Sequence, residues 1–129
     1  MTMKILIVED HEATRQSLRD WLEAVFPRCR VVEAPTGEKA VALARAESPQ
    51  LVVMDISLPG MDGVKATRRI KAALPAAHVV MLSIHEDGVY RAAAFAAGAS
   101  AFVPKRKVQS ELLPTLSELL SVRGTPERV

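Results

Sequence analysis

The sequence holds one cysteine, Cys29, among 129 residues, which excludes an internal disulfide framework and makes a cysteine-rich zinc site implausible. Flanked by Arg28 and Arg30, it reads as an incidental thiol of a reducing compartment. Aromatic residues are scarce, one Trp, one Tyr and three Phe, too few for a base-stacking platform. Long apolar runs are missing too. The stretch from Met1 to Val8 is too short for a signal-peptide h-region or a transmembrane helix. Nor does one sign of charge dominate: 17 basic and 15 acidic residues leave a net charge of +2, which by itself does not point to nucleic acid. The short basic clusters, Arg68-Arg69 and Lys105-Arg106-Lys107, have no aromatic interleaving and read as solvated faces. These absences lead to the expectation of a soluble cytoplasmic domain that touches neither membrane nor nucleic acid directly.

A hydrophobic content of 49% with 25% charged residues is that of a globular protein, and the length suits one domain. Lys4-Ile5-Leu6-Ile7-Val8 is an aliphatic run without polar alternation, as expected of a strand covered on both faces. Val31-Val32, Leu51-Val52-Val53-Met54, Val79-Val80-Met81-Leu82 and Ala101-Phe102-Val103 are the other candidate strands. Helical patterns lie between them. Leu18, Trp21, Leu22 and Val25 keep i, i+3, i+4, i+7 spacing up to Pro27. Thr36 can cap a second helix through Ala40, Leu43 and Ala44 to about Glu47. Ala66, Ile70, Ala73 and Leu74 stripe a third, ended by Pro75. A fourth runs roughly from Asp87 to Ala97 and closes at Gly98. Leu112, Leu113, Leu116, Leu119 and Leu120 stripe the fifth, where Pro114 is tolerable only in the first turn. Strands alternating with helices across short connections predict an α/β fold with a parallel sheet and right-handed crossovers. We read residues 1–122 as the domain and 123–129 as a tail or the start of a linker.

In open parallel sheets, ligands bind beyond the carboxyl ends of the strands. The residues directly after the apolar runs are Glu9-Asp10, Asp55, Ser83 and Lys105. Three carboxylates converging on one edge repel one another and require a cation. Oxygen donors without Cys or a His pair point to a hard ion such as Mg²⁺ (or Mn²⁺), which leaves positions open for phosphate oxygens. A hydroxyl and an ammonium beside such an ion complete a cradle for a tetrahedral dianion. An Asp carboxylate can itself be the nucleophile in phosphoryl transfer.

At this point the chain resembles the receiver domain of a two-component response regulator, from about Lys4 to Ser121. The matching segments are Ile7-Val8-Glu9-Asp10-His11, Val53-Met54-Asp55-Ile56-Ser57-Leu58-Pro59-Gly60-Met61-Asp62-Gly63, Leu82-Ser83-Ile84-His85-Glu86-Asp87 and Ala97-Gly98-Ala99-Ser100-Ala101-Phe102-Val103-Pro104-Lys105. The wording Glu-Asp-His and Leu-Ser-Ile-His-Glu-Asp looks most like the NarL/FixJ (LuxR-type) branch, whose members often carry a C-terminal helix-turn-helix domain. The resemblance implies a flavodoxin-like (βα)5 fold, a doubly wound five-stranded parallel sheet in the order 2-1-3-4-5. It also implies a role for each matching residue. Asp55 would accept a phosphoryl group from a sensor histidine kinase or a small phosphodonor. Asp10, Asp55 and the Ser57 backbone carbonyl would bind Mg²⁺ directly, with Glu9 acting through water. Ser83 and Lys105 would hold phosphoryl oxygens, and Phe102 would be the switch aromatic. Ser57 and His85 would overhang the phosphorylated aspartate and tune its hydrolysis. The domain would turn over only its own Asp55, as a signalling module rather than an ordinary enzyme, and would control an output domain. It would pair through helix 4, strand 5 and helix 5, a face containing Tyr90, Arg91, Arg106, Lys107, Glu111 and Glu118.

One departure stands out: many receivers follow the lysine with proline, whereas Arg106 follows Lys105 and Pro104 precedes it. A non-proline cis bond costs about 3 kcal/mol or more, so a trans Lys105-Arg106 bond is expected. Three other readings compete. An aspartate-nucleophile phosphohydrolase usually has a second acid two residues after the nucleophile, where this chain has Ser57. A flavodoxin-like cofactor binder would want a phosphate loop after the first strand, where Glu9-Asp10 would repel the phosphate. A degenerate receiver used only as an interaction surface would have no need of the intact acidic cluster, whereas a stand-alone receiver acting through protein–protein interaction remains the alternative to one that controls an output domain.

Overall fold

The computed structural model describes residues 3–122, and the expected tail at 123–129 lies outside the described residues. Strands β1 (Lys4–Val8), β2 (Arg30–Ala34), β3 (Leu51–Asp55), β4 (His78–Ser83) and β5 (Ala101–Pro104) alternate with helices α1 (Glu12–Val25), α2 (Gly37–Glu47), α3 (Gly63–Ala73), α4 (Gly88–Ala96) and α5 (Leu113–Val122). All pairings are parallel, in the order β2-β1-β3-β4-β5. The expected α/β sheet and its order are therefore present.

The aliphatic strands have no polar alternation because helices cover both sheet faces. Leu6, Val8, Val52, Met54 and Met81 pack with Ala40 and Ala44 of α2, Ile70 of α3 and Ala94 of α4. The intervening positions Ile5, Ile7, Val53 and Val80 pack on the other side with Leu22 of α1 and Leu112 and Leu116 near and within α5. Side chains alternate across a strand, so a one-residue slip in β1 would exchange these two cores.

Local chemistry sets the helix ends. The Thr36 hydroxyl accepts from Lys39 N at 3.1 Å, and Asp62 Oδ1 accepts from Lys65 N at 2.9 Å. Gly98, with φ +108°, follows the last turn of α4, as the sequence predicts. Pro114 is the second residue of α5 and so lies in its first turn, as the sequence requires. A 3-10 turn (Lys105–Lys107) and a π-helical turn (Val108–Leu112) precede α5, so winding begins well upstream of it. Pro114 cannot donate to the carbonyl four residues back and its ring crowds that turn. The wide winding lies where that bond is missing.

Register then places the chemistry. Val8 pairs with Met54, Asp55 with Leu82 and Ser83 with Pro104, so Glu9, Asp55, Ser83 and Lys105 emerge at one edge.

Candidate functional site

Asp55 is the last residue of β3 and is 4% exposed. Its Oδ2 accepts from Lys105 Nζ at 3.1 Å, and its Oδ1 from Ser57 N at 3.1 Å. Glu9, 3% exposed, offers Oε1 to the same ammonium at 3.3 Å. Its Oε2 accepts from His11 N at 3.0 Å. One lysine thus serves two buried carboxylates, one directly after β1 and one at the end of β3.

The electrostatics follow from that sharing. Burial pushes the Asp55 carboxyl above its ordinary range, and Lys105 with the Ser57 N–H oppose this without cancelling it. Burial also pushes Glu9 upward, but the His11 N–H and Lys105 outweigh it and hold Glu9 below the usual carboxylate range. Burial alone would lower Lys105, yet Asp55 and Glu9 together hold it above the ordinary lysine value, so it is an ammonium at neutral pH. With Asp10 beside them, partly exposed, the carboxylates outnumber the ammonium. This excess of hard oxygen donors fits a divalent cation. Asp10 and the oxygens of Glu9 and Asp55 could hold it. The donor atoms of Glu9, Asp10 and His11 lie within 4.8 Å of one another. Asp55 is outside that group, with Oδ2 turned to Lys105.

The remaining predicted positions surround this centre. The Ser83 hydroxyl, fully buried, donates to the His85 carbonyl at 2.9 Å and accepts from His85 N at 2.8 Å. Its hydrogen bonds therefore lie within its own loop. The His85 ring stacks on Tyr90 with centroids 4.4 Å apart and planes at 13°. Phe102 is 8% exposed and packs in the core with Arg91 over its ring at 5.7 Å. Among the described residues every peptide bond is trans, Lys105-Arg106 included. Arg106 reaches back to Glu86 through two hydrogen bonds of 2.6 and 2.9 Å, joining the loops after β4 and β5. A cleft of about 360 Å³ between α1 and the segment after β5 opens on Glu9 and Lys105.

Sequence reasoning missed two supports. Arg15 of α1 donates to the Glu9 carbonyl at 2.9 Å and to Glu33 Oε1 at 3.0 Å, tying the end of β1 to β2. Arg19 also bonds Glu33. Gly63 is the second: a Cβ there would lie 2.3 Å from the Asp55 carbonyl oxygen and 2.7 Å from Ile56 Cα. Only glycine lets α3 start this close to Asp55. The sequence motif contained Gly63, but nothing in it showed which backbone the helix approaches.

The class of protein is thereby defined: a flavodoxin-like doubly wound domain with an acidic, lysine-paired site at the carboxyl edge of its sheet. A family model described as the response regulator receiver domain matches residues 5–117. The chain belongs to that family. It is 33% identical over 119 residues to the response regulator UvrY of Escherichia coli O6:H1, covering 92% of this chain and 55% of that protein. It is 40% identical over 94 residues to the response regulator protein VraR of Staphylococcus aureus Mu3, covering 71% and 45%. The crystal structure of a LuxR-family two-component response regulator from Aurantimonas sp. SI85-9A1 superposes with a TM-score of 0.86 at 35% identity, covering 95% of this chain and 87% of that one. These relatives place the chain in the LuxR-type branch. The chain spans about half the length of the curated relatives it matches.

Proposed function

We propose that this domain is a phosphoacceptor: Asp55 takes a phosphoryl group from a sensor histidine kinase or a small acyl phosphate, and the modified domain controls an output domain. The observation that carries the reading is the buried Asp55 carboxylate held 3.1 Å from Lys105 Nζ at the open edge of the sheet. An Asp55 carboxylate oxygen attacks the phosphorus in line and forms an O–P bond. The donor's P–N bond (phosphohistidine) or P–O bond (acyl phosphate) breaks, and its electron pair leaves with the imidazole or carboxylate. Ser57 N and Lys105 fix the plane of the attacking carboxylate, and Lys105 is placed to follow charge onto a phosphoryl oxygen. A bound Mg²⁺ or Mn²⁺ would supply charge neutralisation on the transferring group, with Asp10, Asp55, Glu9 and the Ser57 carbonyl as its holders.

The switch follows from the hydrogen bonds the phosphoryl group displaces. Ser83 must leave the His85 backbone to reach a phosphoryl oxygen, and that loop carries the His85 ring stacked on Tyr90 of α4. Movement of Ser83 thereby reaches Tyr90, Arg91 and Phe102. On α4, Val89 is 76% exposed, and Tyr90 and Phe95 are also exposed, so much of this helix's surface is open to an output domain or a second copy. Among the described residues no helix is long and apolar enough to cross a membrane, and we place the domain in the cytoplasm. The chain with acetyl phosphate and Mg²⁺, analysed by intact mass, should gain one phosphoryl group, and Asp55→Asn none. An unmodified parent, or equal modification of the variant, would refute the assignment.

A further inference from the structure

Arg106 makes a contact that the phosphoacceptor reading does not use. It stands directly after Lys105, in the 3-10 turn Lys105–Lys107 that follows β5. Its Nε and Nη2 donate to Glu86 Oε2 and Oε1 at 2.6 and 2.9 Å, two bonds from one planar guanidinium to one carboxylate. Glu86 lies three residues after Ser83, in the loop that leaves β4. Strands β4 and β5 are neighbours, and their ladder ends where Ser83 faces Pro104. The pair therefore bridges the two segments that leave the sheet immediately beyond Ser83 and Lys105. Among the described residues no other side-chain hydrogen bond or ion pair joins residues 84–87 to 105–107. The Ser83 hydroxyl is held within its own loop by His85, and the Lys105 ammonium by Asp55 and Glu9. Beyond the ladder, the side-chain tie between the two segments is Arg106 on Glu86.

We infer that Arg106 is a positioning residue for phosphoryl transfer: by gripping Glu86 it holds the Ser83 loop and the Lys105 segment as one unit, so that hydroxyl and ammonium meet the transferring group together. This role deepens the proposed function and rests on that reading for the transfer itself. Two groups on separately moving segments must each be ordered before they hold phosphoryl oxygens. A tie between the segments removes part of that entropy from the barrier. The side chains of Arg106 and Glu86 are 63% and 39% exposed, which limits the gain. An exposed pair with this two-bond geometry is worth about two- to fivefold in rate and is screened by salt.

The measurement is the initial rate of Asp55 labelling by acetyl phosphate with saturating Mg²⁺, followed by intact mass at low salt. Arg106→Gln and Glu86→Gln should each label about two- to fivefold more slowly than the parent. The two together should be no slower than either alone, since both remove the same contact. The exchanged pair, Arg106→Glu with Glu86→Arg, should recover at least half of the parent's rate. In about 1 M NaCl the ratio of parent to Arg106→Gln should fall to about one. Placed in a Ser83→Ala chain, Arg106→Gln should have no further effect, because that loop then has no hydroxyl to position. A merely structural loss would persist there. Equal or faster labelling of Arg106→Gln, additive losses in the double variant, no recovery on exchange, a ratio indifferent to salt, or the same slowing in the Ser83→Ala chain would overturn the role of Arg106. A parent that takes phosphate at Asp55 while these comparisons fail keeps the phosphoacceptor reading and loses only this positioning residue.

Discussion

Replacing Gly63 with alanine should damage the site from behind without touching a reactive group. The added methyl would sit 2.3 Å from the Asp55 carbonyl oxygen, 2.7 Å from Ile56 Cα and 3.0 Å from the Asp55 carbonyl carbon. All three are backbone atoms, so no side chain can rotate away. Either α3 retreats or the end of β3 shifts. Overpacking of this kind costs about 1–3 kcal/mol, and contact with rigid backbone belongs at the upper end. Alanine returns up to about 1 kcal/mol through better helix propensity. The net loss is therefore about 2 kcal/mol, or roughly 8 °C in Tm for a domain of this length. Gly88, the first residue of α4, is the control, because a Cβ there meets nothing within 4 Å. Gly88→Ala should leave stability equal or raise it by up to about 1 kcal/mol. Urea and thermal unfolding of the three proteins measure both values, and acetyl-phosphate labelling reports whether Asp55 has moved. Gly63→Ala within about 0.5 kcal/mol of the parent, labelled at the parent's rate, would refute the packing argument.

Further outcomes follow from the charges and loops. Glu9 is held below its ordinary pKa, so its contribution is present above that value and lost as pH falls through the folded one. Glu9→Gln should be less stable than the parent at neutral pH, with the gap closing below about pH 4. Asp55 is raised, so the sign reverses: its charged form disfavours folding as pH climbs, and Asp55→Asn should be the more stable protein at pH 7. Denaturant midpoints from pH 3 to 8 (a range set by about the carboxylate values) check both, and parallel curves would contradict the linkage. Lys105→Ala and Ser83→Ala should still accept phosphate but lose the response around Phe102, read as phosphorylation-dependent chemical shifts; shifts that survive in both would refute the switch. His85→Ala should change the decay of the phosphorylated form severalfold, since it frees the Ser83 loop from the Tyr90 stack. Superimposable decays from about pH 6 to 8 would make His85 a bystander.

Much of this architecture was legible because each aliphatic run is covered on both faces and ends where chemistry begins. Lys4–Val8 delivers Glu9, Leu51–Asp55 ends on the proposed acceptor and His78–Ser83 on the hydroxyl. What the sequence could not show are contacts between distant side chains. The bond from Lys105 to Glu9 spans 96 residues, and that from Arg15 to Glu33 spans 18. Neither leaves a periodic trace. Arg106 was visible only as a departure from proline, and its grip on Glu86 needed both loops in place. Pro114 marked a problem in the last helix without revealing that a π-wound turn solves it. His11 was read as part of a motif, and only its rotamer shows a donor turned to two carboxylates.

The central claim is that one carboxylate among several neighbouring acids is the acceptor. Borohydride reduction of the chain after acetyl phosphate and Mg²⁺ treatment converts an acyl phosphate to the alcohol, so peptide sequencing by mass reads the residue directly. The account predicts homoserine at position 55 and unchanged acids at Glu9, Asp10 and Asp62. Reduction at any of those three, or no reduced residue in a protein that has gained phosphate, would contradict it.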